Sequence, residues 1–286
     1  DTVLVLHTSG TSGKKKVVPY PLENVCVGAA CVAAAWAMTP RDVNLNMMPL
    51  FHIGGIARNL FAVVLSGGHV VLTKGFDAAL FWELVGPTGA TWYYAGPTMH
   101  HMILEARKAL PGGGTGAAAP RHRIRMICNA AGGLLPSLAV ALRDAFDGAA
   151  VLPSYGMTEC MPISSPPVDY KLDRPGTSGR ACGPEVSIRD DGGVPMPPDA
   201  VGNICVRGAP LFPGYEGDEA ATASAFFPGG WFNTGDLGML DPDGFLYLTG
   251  RSKEVINRGG EIISPFEVEE ALLAHPAVGQ VSQSVS

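Results

Sequence analysis

Charge is scarce in this chain. Lys, Arg, Asp and Glu make up 16% of its 286 residues, and the balance is acidic, at −6. General nucleic-acid binding needs a basic face, so that function class is excluded. Long apolar runs are also missing. Stretches such as Val25–Ala37 and Leu60–Leu65 are too short to span a bilayer. Cysteine is sparse and scattered: Cys26, Cys31, Cys128, Cys160, Cys182 and Cys205 form no C-x-x-C pair. That spacing supports neither a zinc site nor a disulfide framework, and reduced thiols in an intracellular protein are the expectation. The Walker spacing G-x-x-x-x-G-K-[ST] does not occur. There is no initial Met and no signal peptide, since Asp1 directly precedes a strand-like run. Val278–Ser286 reads as the start of a further strand, so the expectation is a piece of a longer protein.

Apolar residues are plentiful. A hydrophobic content of 47% and a mean hydropathy of +0.19 allow a sizeable core, in one large domain or two. The first of these residues, Thr2–Leu6, read as a strand. Thr8-Ser9-Gly10-Thr11-Ser12-Gly13-Lys14-Lys15-Lys16 follows at once. Glycines there let backbone N–H groups turn inward, hydroxyls add donors, and lysines neutralise charge. Such a loop suits a polyphosphate. On its own it reads equally well as a polar turn carrying solvated lysines.

Strands and helices then alternate. Helical segments are expected at Leu22–Met38, Ile56–Leu65, Phe76–Val85, Pro97–Ala109 and Pro136–Phe146. Strands are expected at Asp42–Met48, His69–Leu72, Ala90–Tyr94 and Ile124–Asn129. Pro111–Pro120 reads as a flexible surface loop. This alternation implies parallel α/β units. After about Glu159 the texture changes to short strands between turns, such as Val186–Arg189, Gly202–Arg207 and Phe245–Leu248. That is the pattern of a small antiparallel sheet or barrel. A last unit has a strand at Glu254–Asn257 and a helix over Pro265–Ala274, with Pro265 at the first helical position and Ser264 as its cap. The reading is an α/β subdomain over residues 1–160, an antiparallel β subdomain over 161–249, and the start of a small α+β domain over 250–286.

Seven blocks along the chain carry a family resemblance. They are TSGTSGKKK (8–16), PLFHIGG (49–55), NAAGGLLP (129–136), SYGMTEC (154–160), VRGAPLFPGYEG (206–217), WFNTGDLG (231–238) and GRSKEVINRGGEIISPFEVEEAL (250–272). In order and content they resemble the adenylate-forming superfamily of acyl-CoA synthetases, luciferases and peptide-synthetase adenylation domains. Within it, the chain most resembles acyl-CoA synthetases of the oxalyl-CoA synthetase and 4-coumarate-CoA ligase neighbourhood.

The resemblance implies two half-reactions. A carboxylate attacks the α-phosphorus of ATP to give acyl-AMP, and the thiol of coenzyme A then displaces AMP. It also implies roles. Thr8, Ser9, Gly10, Thr11, Ser12, Gly13 and Lys16 would hold the outer phosphates. Gly132, Gly133 and Leu134 would line the adenine, and Tyr155 would stack on it, followed by Gly156 and Met157. Thr158 would meet the α-phosphate, and Glu159 with Thr11 would bind Mg²⁺. Asp236 would accept from the ribose hydroxyls, and Arg251 would donate near the ribose or phosphate. His52 would stand between the acyl pocket and the coenzyme A tunnel. Lys253 would be a hinge, and Gly259 and Gly260 would line the pantetheine path. A catalytic lysine of the family falls beyond residue 286. The implied partners are a small-molecule carboxylate and coenzyme A, with no nucleic acid and no transmembrane segment, in the cytoplasm or peroxisome. Oligomeric state is left open.

Each residue also has a plainer role. His52 reads as a core histidine, Tyr155 as a core aromatic, Glu159 as an exposed carboxylate, and Asp236 as the maker of an Asx-turn. Arg251 and Lys253 read as a solvated charge pair with Glu254. Two departures affect the phosphate loop: Lys15 replaces a usual Pro, and Val17 a usual Gly. They keep two rivals in view, a nucleotide-binding pseudo-enzyme and an adenylation domain that loads a carrier protein.

Overall fold

The computed structural model describes residues 1–8, 15–111, 120–129, 133–251, 256–258, 261–263, 268 and 272. Strands β1 (Thr2–His7) and β2 (Val17–Pro21) pair antiparallel across the glycine- and lysine-rich segment. The Thr8 N–H donates to the Lys16 carbonyl and closes its mouth. β1 buries Leu6 while Val3 and Val5 stay exposed, so it is a one-faced strand. β2 is absent from the sequence reading because Pro19 and Pro21 argue against a strand. Prolines are tolerated on an edge, and β2 has only one neighbour. Val17 opens this strand, where a β-branched side chain is favoured.

Helix α1 (Leu22–Ala35) leads to β3 (Val43–Asn46). The expected helix at Ile56–Leu65 starts earlier, as a π-helix over Gly54–Phe61 that passes into α2 (Ala62–Leu65). β4 (His69–Leu72), α3 (Ala78–Val85), β5 (Trp92–Ala95), α4 (Pro97–Lys108), β6 (Met126–Asn129), α5 (Pro136–Ala145) and β7 (Ala150–Pro153) follow. The Asp77 side chain caps α3 by accepting from the Ala79 and Leu80 N–H groups. Pro97 and Pro136 open their helices, where a missing N–H costs nothing. The five strands form a parallel sheet in the order β4-β3-β5-β6-β7. Its inner strands β5 and β6 are buried along their whole length, as helices on both faces require.

β8 (Tyr155–Met157), β9 (Cys160–Ser165), β10 (Thr177–Ala181), β11 (Glu185–Arg189) and β12 (Gly202–Arg207) precede helix α6 (Glu219–Ala225). β13 (Phe226–Phe227), β14 (Trp231–Leu240) and β15 (Phe245–Arg251) complete an antiparallel sheet in the order β11-β12-β14-β15-β10-β9-β8, with β13 on β14. The short pair β16 (Ile256–Arg258) and β17 (Glu261–Ile263) ends the strands among the described residues. Of the helix expected over Pro265–Ala274, Val268 and Leu272 are described, both helical. The expected surface loop falls mostly on residues 112–119, outside the described residues. No helix among the described residues is long and apolar enough to cross a membrane, and all six cysteines are free.

α1 lies directly on β9. A Cβ on Gly28 would sit 2.3 Å from the Met161 carbonyl oxygen, and only hydrogen allows that approach. Gly28→Ala is therefore expected to destabilise the protein by about 1–3 kcal/mol, the scale of overpacking. The chemical-denaturation midpoint should fall with an unchanged slope. A midpoint equal to wild type would mean that α1 does not press on β9.

Candidate active site

The site forms where the parallel sheet hands over to the antiparallel one. β6 and β7 end at Asn129 and Pro153, and only Ser154 separates β7 from β8. The Ser154 hydroxyl donates to the Asn129 carbonyl at 2.9 Å. Open α/β sheets place ligands at this end, outside the carboxyl ends of their strands.

Tyr155 begins β8 and is buried. Its hydroxyl donates to Asp236 Oδ2 at 2.5 Å. These residues lie 81 positions apart, so the contact is purely tertiary. Burial pushes the Tyr155 hydroxyl well above its usual range, and the Asp236 charge adds to this. Asp236 does not make the local turn. Asn233 Oδ1 accepts from Gly235 N–H, and Thr234 Oγ1 accepts from Asp236 N–H. Gly235 has a φ of +79°, a conformation glycine adopts at low cost, and so aims the next residue. The Asp236 carboxylate thereby turns to Tyr155. Across the ladder, Asp236 stands opposite Arg251.

Thr158 and Glu159 form the turn of the β8–β9 hairpin. Glu159 is only 6% exposed, unlike a free loop carboxylate. Tyr215 donates its hydroxyl to Glu159 Oε1 at 2.9 Å, and Lys16 Nζ lies 4.3 Å above the Tyr215 ring. Burial raises the affinity of Glu159 for a proton, while the Tyr215 hydrogen bond and the Lys16 charge oppose this. A buried carboxylate with one oxygen held by a phenol is a hard oxygen ligand of the kind Mg²⁺ takes. Thr11, the other expected ligand, lies outside the described residues.

His52 is half-buried at the start of the π-helix, beside Phe51, which is 82% exposed. Its Nδ1 accepts from Gly54 N–H at 3.2 Å. Burial lowers its pKa, and the nearby Arg58 charge lowers it further, so the imidazole is held neutral. Gly133 is exposed, and Leu134 turns its side chain into the core under the parallel sheet. A nucleotide contact at Leu134 would thus fall to its backbone. Ser9, Gly10, Thr11, Ser12, Gly13, Gly132, Lys253, Gly259 and Gly260 lie outside the described residues. The structure brings together Tyr155 with Asp236, and Lys16 with Glu159. Two neighbours escaped the sequence reading. Tyr215 was inside a matched block but had no role, and Arg58 passed as a helix residue.

The model of the AMP-binding enzyme family matches residues 1–216. The chain belongs to that family. Within this AMP-binding family it is similar to oxalate–CoA ligase of Arabidopsis thaliana, with 37% identity over 98% of this chain and 54% of the relative. Sulfoacetate–CoA ligase of Cupriavidus necator is 35% identical over 96% of this chain and 52% of that protein. The o-succinylbenzoate CoA synthetase of Bacillus subtilis, solved with ATP and magnesium ion, superposes with a TM-score of 0.85. Its identity is 34%, over 98% of this chain and 56% of that one. The chain spans about half the length of the curated relatives it matches.

Proposed function

We propose that the whole protein is an ATP- and Mg²⁺-dependent acid–thiol ligase that makes an acyl-CoA through an acyl-AMP. The observation that carries this reading is the pairing of Tyr155 with Asp236 beside the buried Glu159–Tyr215–Lys16 cluster. In the first step a carboxylate oxygen attacks the α-phosphorus of ATP, and pyrophosphate leaves. Negative charge grows on the phosphates, so fixed positive charge and donors at Lys16 and Thr158 stabilise the transition state. Mg²⁺, when bound, supplies Lewis-acid stabilisation of that charge, with Glu159 as its protein ligand. The Asp236 carboxylate would accept from the ribose hydroxyls, and Tyr155 fixes that carboxylate in place. In the second step the coenzyme A sulfur attacks the acyl carbonyl and AMP leaves with the phosphoryl oxygen. A neutral His52 suits that passage: with Nδ1 accepting from Gly54 N–H, its Nε2–H is left as a donor.

The test is ATP–pyrophosphate exchange by the full-length protein over a panel of carboxylates, followed by thioester formation with coenzyme A. Acid-dependent exchange is expected. A folded protein that binds AMP yet exchanges with no acid is the pseudo-enzyme instead. The acids named for its relatives, oxalate, sulfoacetate and 2-succinylbenzoate, each carry more than one acidic group. Tyr155→Phe isolates the nucleotide side. Losing a hydrogen bond to a charged group is worth roughly 1.5–3 kcal/mol. The KM for ATP in the exchange assay should therefore rise about tenfold or more. An unchanged KM would remove Tyr155 from the positioning of Asp236.

A further inference from the structure

Arg58 lies in the middle of the π-helix and is 1% exposed. Its Nε donates to Met161 Sδ at 2.9 Å and its Nη2 to the Tyr155 carbonyl at 3.0 Å. Its Nη1 donates to the Tyr94 hydroxyl at 3.3 Å and to the Ser154 hydroxyl. The guanidinium carbon also lies 5.4 Å from the Trp36 ring centroid and 5.1 Å from that of Tyr94. Every one of these partners is neutral. None of the ion pairs among the described residues includes Arg58. The two carboxylates of the nucleotide side are engaged elsewhere, Glu159 with Tyr215 and Asp236 with Tyr155.

A guanidinium has five N–H donors. The four bonds above leave one Nη2 donor without a partner among the described residues. A buried charge with no counter-charge is strongly unfavourable, and neutral donors and ring faces offset only part of it. Such a group at a site edge is explained when its counter-charge arrives with the substrate.

The surroundings fit that explanation. His52 stands just before the π-helix that carries Arg58, and the Arg58 charge is felt at the His52 ring. Glycine backbone approaches Arg58 and its partner Tyr94 more closely than any side chain would allow. A Cβ on Gly156 would lie 3.0 Å from Arg58 Nη2, and a Cβ on Gly54 would lie 2.8 Å from the Tyr94 ring.

We propose that Arg58 selects the acid: it receives a second acidic group on the acyl substrate, so the preferred substrate is a diacid. This rests on the acid-activating reading given above. The reacting carboxylate goes to the α-phosphorus, and the distal one is neutralised by the guanidinium. An arginine suits that role because its planar fork matches a carboxylate.

The test compares acids of equal carbon number in the full-length protein, succinate against butyrate and glutarate against pentanoate. Wild type should favour the diacid in kcat/KM for pyrophosphate exchange. Arg58→Met should lower the diacid-to-monoacid ratio by about 100-fold, the scale of one charge-assisted pair. Arg58→Lys should recover part of it. A merely structural arginine would reduce both rates alike and leave the ratio unchanged, which overturns the proposal. A wild type that prefers monoacids overturns it as well. If no acid supports exchange, the ligase reading fails, and calorimetric binding of succinate against butyrate decides the Arg58 proposal separately. Tighter binding of succinate, lost in Arg58→Met, supports it; equal binding ends it.

Discussion

Glu159→Gln should give a full-length protein that melts at a higher temperature and adenylates about 10³-fold more slowly, a loss of ~4 kcal/mol of transition-state stabilisation. Both effects come from one feature. Glu159 is a carboxylate inside the protein, and burial raises its affinity for a proton above the ordinary range. A carboxyl whose folded pKa lies above its unfolded one contributes stability that is complete below about pH 4.3. That contribution is lost as pH rises through the folded value. At pH 7 the folded protein therefore carries an ionised group that it disfavours. Gln retains an oxygen that accepts from Tyr215, so the hydrogen bond survives and the burdensome charge does not. The gain in melting temperature should appear at neutral pH and vanish in acid. Activity runs the other way, because an amide is a poor ligand for Mg²⁺ and offers no charge to the phosphate–metal cluster. Thermal melts at pH 4 and pH 7, alongside exchange rates over a magnesium titration, measure the two halves independently. Equal melting curves at both pH values would show that Glu159 carries no burial strain. An undiminished rate would remove it from the metal site.

Phe81→Ala should have the largest effect on stability, about 3–5 kcal/mol. Phe81 is fully buried under the parallel sheet and meets Trp82, Tyr93 and Phe146 edge-on, with ring centroids at 5.2, 4.9 and 6.1 Å. Truncation removes its buried area and these ring contacts together, and leaves a cavity that three rigid aromatics cannot refill. The loss is a large share of a typical total stability of about 5–15 kcal/mol. Denaturant titration should show a much lower midpoint. Binding of AMP to the molecules that remain folded should be close to wild type, because the ring partners of Phe81 are Trp82, Tyr93 and Phe146 and not Tyr155, Glu159 or Asp236. A drop of less than 1 kcal/mol would mean that the neighbouring rings close the gap.

The architecture was legible where residues carried their own structural instruction. His69–Leu72 and Gly202–Arg207 are apolar or alternating runs between turn residues, and both are strands with those ends. Pro97 and Pro136 announced the starts of α4 and α5. β2 was hidden because its two prolines are acceptable only on an edge, and edge position is a tertiary fact. The π-helix was hidden because apolar spacing over Ile56–Leu65 fits an ordinary helix, and its first residues pack too closely for a side chain at Gly55. A Cβ on Gly55 would meet the Pro49 carbonyl oxygen at 2.3 Å. Asp236 and Glu159 were singled out through their blocks. Their phenol partners were not paired with them, since 81 and 56 residues of chain intervene. Arg58 was missed for a different reason: nothing in a sequence says that a charge is buried without a counter-charge.

The seam between the sheets has a mechanical consequence. Ser154 is the whole link between β7 and β8, and its hydroxyl is tied both to Asn129 and to Arg58. A one-residue link tied at its side chain leaves little slack between the sheets, so Tyr155 at the start of β8 is held close to the end of β6. Anything that binds against Tyr155, Asp236 and Glu159 therefore meets a surface whose two halves are pinned together at a single serine.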